Sequence, residues 1–296
     1  MDQAYRLRDI VKNKNSQDLE AASKKINTRV ITITSGKGGV GKTNFAINLA
    51  IQMSRYNKRV LIIDADFGLA NIEVLLGKTP TYTFADMLQG KKEIQEIITD
   101  GPMGIKFISG GSGLVEMANL SERQIVSIID NFQYIDQIAD IILLDTGAGI
   151  SRTVINFIRA ANEAIIITTP EPTAVTDAYA LLKAANENQQ EGTDFGVVVN
   201  RVDDIREGAE IYERLSKVSE KFLNKQLSCL GYIPNDINLK KSVKRQEPVS
   251  ISFPNSVSAR SIDNIGIKML NMEHEKKKIP DNIISFMRRL VGSSGS

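Results

Sequence analysis

Nine residues constrain this chain more than any other feature. Residues 35–43 read Ser-Gly-Lys-Gly-Gly-Val-Gly-Lys-Thr and directly follow the apolar run Val30-Ile31-Thr32-Ile33. Gly36, Gly41, Lys42 and Thr43 satisfy the spacing G-x-x-x-x-G-K-[ST], which makes a phosphate-binding loop when a strand leads into it and a helix leads out. Both conditions are met here, because a helical pattern runs from Asn44 to Arg55. The backbone N–H groups of such a loop converge on an anion, and the helix N-terminus adds its positive end. The expected nucleotide cradle is therefore Gly36, Lys37, Gly38, Gly39, Val40, Gly41, Lys42, Thr43 and Asn44. Within it Lys42 is placed to bridge the β- and γ-phosphates, and the Thr43 hydroxyl to hold Mg²⁺. Lys37 has no task in the ordinary pattern.

The rest of the body fits a sheet behind that loop. Expected strands are Val30–Thr34, Val60–Asp64, Ile105–Ser109, Ile141–Asp145, Ala164–Thr168, Phe195–Asn200 and Leu230–Ile233. Continuous aliphatic runs such as Ile141-Ile142-Leu143-Leu144 fit strands buried on both faces, hence a mostly parallel sheet with helices on each side. Helical stretches near 44–56, 121–139, 151–161, 174–189 and 207–224 supply the crossovers. The fold class is a single α/β P-loop NTPase domain.

Three strand ends carry polar residues where ligands of open α/β sheets collect. These are Asp64-Ala65-Asp66, Asp145-Thr146-Gly147-Ala148-Gly149 and Asn200-Arg201. Mg²⁺ keeps several waters, which places Asp64 and Asp145 as carboxylates bonding that shell. Asp66 is placed to orient the attacking water, and Gly147 lets its loop approach and leave the γ-phosphate. The Asn200 amide matches the donor–acceptor edge of a purine, without choosing adenine over guanine.

Composition excludes more than it assigns. A net charge of +2 gives no bulk argument for nucleic acid. A single cysteine, Cys229, allows no intrachain disulfide framework, and its apolar surroundings suggest a buried strand. No secretory leader or membrane-length apolar run appears, so a cytoplasmic protein is expected.

Both flanks differ from the body. Residues 1–28 comprise a short candidate helix, with Ala4, Leu7 and Val11 on one face, and a polar lysine-rich tether. The expected ATPase body is 29–275. Residues 276–296 hold an amphipathic stripe in which Ile283, Ile284, Phe286, Met287 and Leu290 lie opposite Arg288 and Arg289, then a flexible Gly292–Ser296 end. Such a helix can insert its apolar side at an anionic membrane surface while the arginines meet headgroups.

The strings Ser35–Thr43, Asp64–Asn71, Asp145–Gly149 and Asn200-Arg201 resemble the deviant Walker A ATPases, the MinD/ParA group, over residues 29 to about 272. The resemblance implies ATP and ADP with Mg²⁺, slow turnover, and a homodimer formed with ATP in which Lys37 contacts the partner's nucleotide. It makes Lys37, Lys42 and Asp66 the catalytic residues, and adds Asn71, Asn200 and Arg201 to the nucleotide contacts. The start, Asp2-Gln3-Ala4-Tyr5-Arg6-Leu7-Arg8, and the strings Gly68-Leu69-Ala70-Asn71 and Thr169-Pro170-Glu171-Pro172-Thr173 are similar to the flagellar, FlhG-type branch of that group. That branch implies control of flagellar number or placement, stimulation of the signal-recognition-type GTPase FlhF through Gln3, Leu7 and Arg8, contacts with C-ring proteins, and reversible attachment to the membrane. Division-site placement of the MinD type and DNA partition of the ParA type are the alternatives. The N-terminal string argues against the first, and the near-neutral charge and C-terminal stripe argue against the second.

Overall fold

The computed structural model describes residues 28–66, 71–110, 132–187, 193–275 and 283–293. The N-terminal candidate helix with Gln3, Leu7 and Arg8, the string Gly68–Ala70 and the first part of the expected 121–139 helix lie outside them.

Eight strands form one sheet in the order β3-β4-β2-β5-β1-β6-β7-β8. They are β1 (Arg29–Ser35), β2 (Val60–Ala65), β3 (Thr99–Asp100), β4 (Lys106–Ile108), β5 (Ile141–Ala148), β6 (Glu163–Thr168), β7 (Asp194–Val202) and β8 (Leu227–Pro234). Every pairing is parallel except β3 with β4. The helices are α1 (Lys42–Arg55), α2 (Asn71–Leu76), α3 (Phe84–Leu88), α4 (Ile94–Ile97), α5 (Arg152–Ala160), α6 (Pro172–Asn186), α7 (Ile205–Leu223), α8 (Ile237–Lys244), α9 (Val249–Ser252), α10 (Val257–Glu275) and α11 (Ile283–Ser293), with a further helical segment at 132–138.

Strand alternation divides the aliphatic runs between two faces. Ile31, Ile33, Ile62 and Leu143 join α1 and α10 in one core, where Phe45, Leu49, Ile262 and Met269 pack. Val30, Leu61, Ile63, Ile142 and Leu144 point the other way, toward Phe84, Phe157 and the apolar side of α11. A third core joins α5, α6 and α7 to β6 and β7. Arg29 pins the centre: its guanidinium donates to both Glu163 oxygens at 2.6 Å and to Met269 O at 2.9 Å.

The seven expected strands are present, and β5 runs three residues beyond Asp145. β3 and the helices α2, α3, α4, α8, α9 and α10 have no counterpart in the expected pattern, and all but α10 are eight residues or shorter. β3 is a two-residue antiparallel edge, too short to show a period. α10 carries Ser258, Ser261, Asn264 and Gly266, which mask the stripe of Ile262, Ile265 and Met269 that it buries. Cys229 lies in β8 but is only half-buried, because β8 is the edge strand and bulges between its pairings with Val197 and Val198. Among the described residues no helix is long and apolar enough to cross a membrane.

Candidate active site

β1 delivers Ser35 to the carboxyl edge of the sheet, where the chain turns through the glycine-rich loop into α1. Two glycines are demanded by space. A Cβ at Gly36 would sit 2.2 Å from the Asp177 backbone of α6, and one at Gly41, whose φ is +98°, would sit 2.6 Å from Asn200 Nδ2. The Ser35 hydroxyl donates to Lys37 O at 2.8 Å, and Gly149 N–H donates to Ser35 O at 2.9 Å, tying the loop to the segment after β5.

Asn200 closes the loop from β7. Its Nδ2 donates to Val40 O at 2.7 Å and its Oδ1 accepts Arg201 N–H at 2.9 Å. The amide aimed at a purine by sequence reasoning is thus also a bolt between β7 and the loop, with one N–H and one lone pair left over. Arg201 then takes φ +58°, a left-handed conformation that costs a non-glycine residue about 1–3 kcal/mol and persists where the surroundings enforce it.

Asp64 and Asp145 stand in register on adjacent strands. Asp64 accepts N–H groups from Asp66 at 3.1 Å and Ile72 at 3.4 Å. Burial, then the charge of Asp145, push its pKa up to about 7. Burial also raises Asp145 to about 6, against the Thr43 hydroxyl and the Lys42 ammonium, which favour the carboxylate. Neither buried oxygen of Asp145 meets hydrogen-bond geometry with a donor among the described residues. Two desolvated carboxylates beside a threonine hydroxyl, one of them unpartnered, suit a hydrated divalent cation, whose waters would bond the carboxylates. The residues therefore fit Mg²⁺, which Thr43, Asp64 and Asp145 would hold. Asp66 is held by Asn71 Nδ2 at 3.1 Å, and its other oxygen lies against Gly147.

Lys37 is engaged within its own chain. Its Nζ donates to Glu171 Oε2 and Thr173 Oγ1, each at 2.8 Å. The Lys37 ammonium, with a smaller contribution from Arg201, holds the Glu171 carboxyl below its ordinary pKa. The string at residues 169–173 resembles the flagellar branch but by itself gives Glu171 no task. The signal was a carboxylate just past the end of β6, at the same sheet edge as the surplus lysine.

The C-terminal candidates sit elsewhere. Ile283, Phe286, Met287 and Leu290 are buried against the 132–138 segment and α5, Ile284 is partly buried, and Arg289 is half-buried. The Phe286 ring lies parallel to that of Phe157, centroids 6.4 Å apart. The Arg288 side chain is outside the described residues.

Comparison with known proteins agrees with this geometry. Residues 31–249 match the CobQ/CobB/MinD/ParA nucleotide binding domain. The antiactivator FleN of Pseudomonas aeruginosa is 39% identical over 267 residues, spanning 89% of this chain and 93% of that protein. The flagellum site-determining protein YlxH of Helicobacter pylori is 35% identical over 98% of both chains. Among solved structures, the MinC:MinD cell division complex of Aquifex aeolicus aligns with a TM-score of 0.64 at 25% identity, covering 86% of this chain and 98% of that one. MinD of Pyrococcus horikoshii, complexed with Mg-ADP, aligns at 0.65 and 22%, covering 85% and 100%. With its loop, strand-end carboxylates and sheet order in place, the chain belongs to the MinD/ParA family of nucleotide-binding ATPases.

Proposed function

We propose that this ATPase regulates flagellar number or placement by cycling between the cytoplasm and the membrane, and that its N-terminal segment stimulates the GTPase FlhF. One observation carries the flagellar reading: a flagellum site-determining relative is matched over 98% of this chain, so the match includes both flanks as well as the shared body. Bound Mg²⁺ would neutralise phosphate charge; Thr43, Asp64 and Asp145 are the residues to hold it. Lys42 steadies the β- and γ-phosphates, and Asp66 orients water from its bond with Asn71. Lys37 leaves Glu171 and Thr173 to meet the nucleotide of a second copy, which makes the dimer depend on ATP. Paired α11 helices then hold an anionic membrane surface by avidity, where a single short helix binds weakly. C-ring proteins are further candidate partners.

Co-sedimentation with vesicles containing phosphatidylglycerol tests the cycle. Wild type should bind with ATP and not with ADP. Lys37→Ala should bind nucleotide yet neither dimerise nor sediment, and a Lys37→Ala protein that still dimerises with ATP would refute the role given to this lysine. A peptide of residues 1–12 should accelerate GTP hydrolysis by FlhF; no acceleration removes the GTPase arm alone.

A further inference from the structure

Asp136 is a buried carboxylate with no part in the reaction above. It lies in the 132–138 segment and is 6% exposed. Its Oδ1 accepts the backbone N–H of Ile283, the first residue of α11, at 3.2 Å. Amides in the first turn of a helix lack an intrahelical acceptor. Asp136 therefore does for α11 what an N-cap does, but from a different element, and its charge complements the positive end of the helix. The Thr28 hydroxyl adjoins the same carboxylate and donates to Ala139 O at 3.1 Å. Thr28 is fully buried and leads directly into β1. Burial raises the Asp136 pKa, while Thr28 and the Ile283 N–H act against that rise. One side chain thus touches the first residue of the C-terminal helix and the entry to the first strand.

We infer that Asp136 is the latch that holds α11 on the body and fixes where the helix is seated. This rests on the reading of α11 as a helix that leaves its groove for a membrane. Phe286, Met287 and Leu290 supply apolar affinity, which has no direction and tolerates sliding. The cap has direction: it is made only when residue 283 sits at the head of the groove. When α11 leaves, the Asp136 carboxylate exchanges this donor for water, so the docked state keeps the net value of one hydrogen bond to a charged acceptor. The docked state is therefore held by more than its apolar contacts, and the latch positions the helix without touching nucleotide.

The test uses full-length protein without nucleotide, following amide hydrogen exchange of residues 283–290 and sedimentation with phosphatidylglycerol vesicles. Asp136→Ala should speed exchange in that segment on the order of tenfold, the scale of a lost N-cap, with β5 exchange and ATP binding unchanged. It should raise nucleotide-independent vesicle binding in parallel. Asp136→Asn keeps a capping oxygen and should stay within about threefold of wild type. Should Asp136→Ala loosen the whole body, Ile283→Pro removes the donated N–H at a helix position where proline is tolerated, with Ile283→Ala as the control for the buried side chain both variants lose, and must accelerate exchange in 284–290 beyond Ile283→Ala. Unchanged exchange in Asp136→Ala, or exchange in Ile283→Pro no faster than in Ile283→Ala where that pair replaces it, overturns the latch. Faster local exchange without vesicle binding by any form, wild type with ATP included, leaves the latch standing and overturns the membrane reading instead.

Discussion

Lys37 and α11 are both held within one chain, yet by restraints of different strength. The Lys37–Glu171 pair is exposed, at 37% and 56% for the two side chains. Pairs of that kind contribute about 0–1 kcal/mol and are screened by salt. α11 buries Ile283, Phe286, Met287 and Leu290 to 6% exposure or less, and full burial of each such side chain contributes about 1.5–3 kcal/mol. The lysine is thus poised to leave on modest provocation, whereas the helix needs a replacement apolar surface. α5 stands between the two regions. Its N-cap, Ser151, follows Gly149 closely, and its Phe157 lies against Phe286. A displacement of the β5–α5 segment by a γ-phosphate would therefore reach the α11 groove through one rigid helix.

The largest expected effect tests the apolar side. Phe286→Ala should lower unfolding free energy by about 3–5 kcal/mol if α11 stays seated, the usual range for a buried phenylalanine. If the helix detaches instead, the loss is capped at its docking free energy, and exchange in 283–290 rises while the rest of the body is unmoved. Urea denaturation with hydrogen exchange separates these results. A loss below about 1 kcal/mol with slow exchange in α11 would erase the contrast with Lys37, since it would place the helix in the energy range of a surface ion pair.

The carboxylate pair gives the next effect, and its sign follows from the raised pKa values. Asp64 titrates at about 7 in the folded protein against 3.8 for an ordinary aspartate. The folded state therefore binds the proton more tightly than the unfolded chain does. That contribution is fully present below about pH 4 and is lost as pH rises through 7. At about 1.36 kcal/mol per unit it amounts to at most about 4 kcal/mol. Without Mg²⁺, the Asp64 contribution to the thermal midpoint should therefore decline between pH 5 and pH 8. Asp64→Asn should flatten that slope, and added Mg²⁺ should flatten it in wild type. An equal slope in wild type and Asp64→Asn would show that the burial of this carboxylate is relieved by other means.

How much of this was legible depended on whether the signal was local. The loop, the strands and the three polar strand ends follow from contiguous residues: Ile141–Leu144 is aliphatic because both faces are covered, and Asp145 ends the run because it reaches the site. The α11 stripe was readable for the same reason, while its seat was not, because Phe157 and Asp136 are brought to it only by the fold. The Asp136 bond joins residues 147 apart in sequence, and no periodicity points across such a span. Glu171 was readable in type but not in role, since its pairing with Lys37 needs the geometry of β1 and β6 together. α10 failed for a local reason: serines, asparagine and a glycine break up its stripe, and packing on α1 and β8 overrides that weak propensity.

The smallest effect sharpens the contrast most directly. Glu171→Gln removes the charge that holds Lys37 while keeping a hydrogen-bond acceptor beside Thr173. Stability should change by less than about 1 kcal/mol, because both partners already lie in solvent. Screening length falls to about 3 Å at 1 M salt, so whatever difference exists at low ionic strength should vanish in 1 M NaCl. Phe286→Ala should show the opposite behaviour, its deficit persisting at high salt because apolar contacts are not screened. Denaturation of wild type, Glu171→Gln and Phe286→Ala at low and high salt therefore distinguishes the two restraints. If the Glu171→Gln difference exceeded about 2 kcal/mol or survived 1 M salt, the lysine would be locked and not merely parked. The proposed dimer formation would then have to break a bond as strong as those seating the helix.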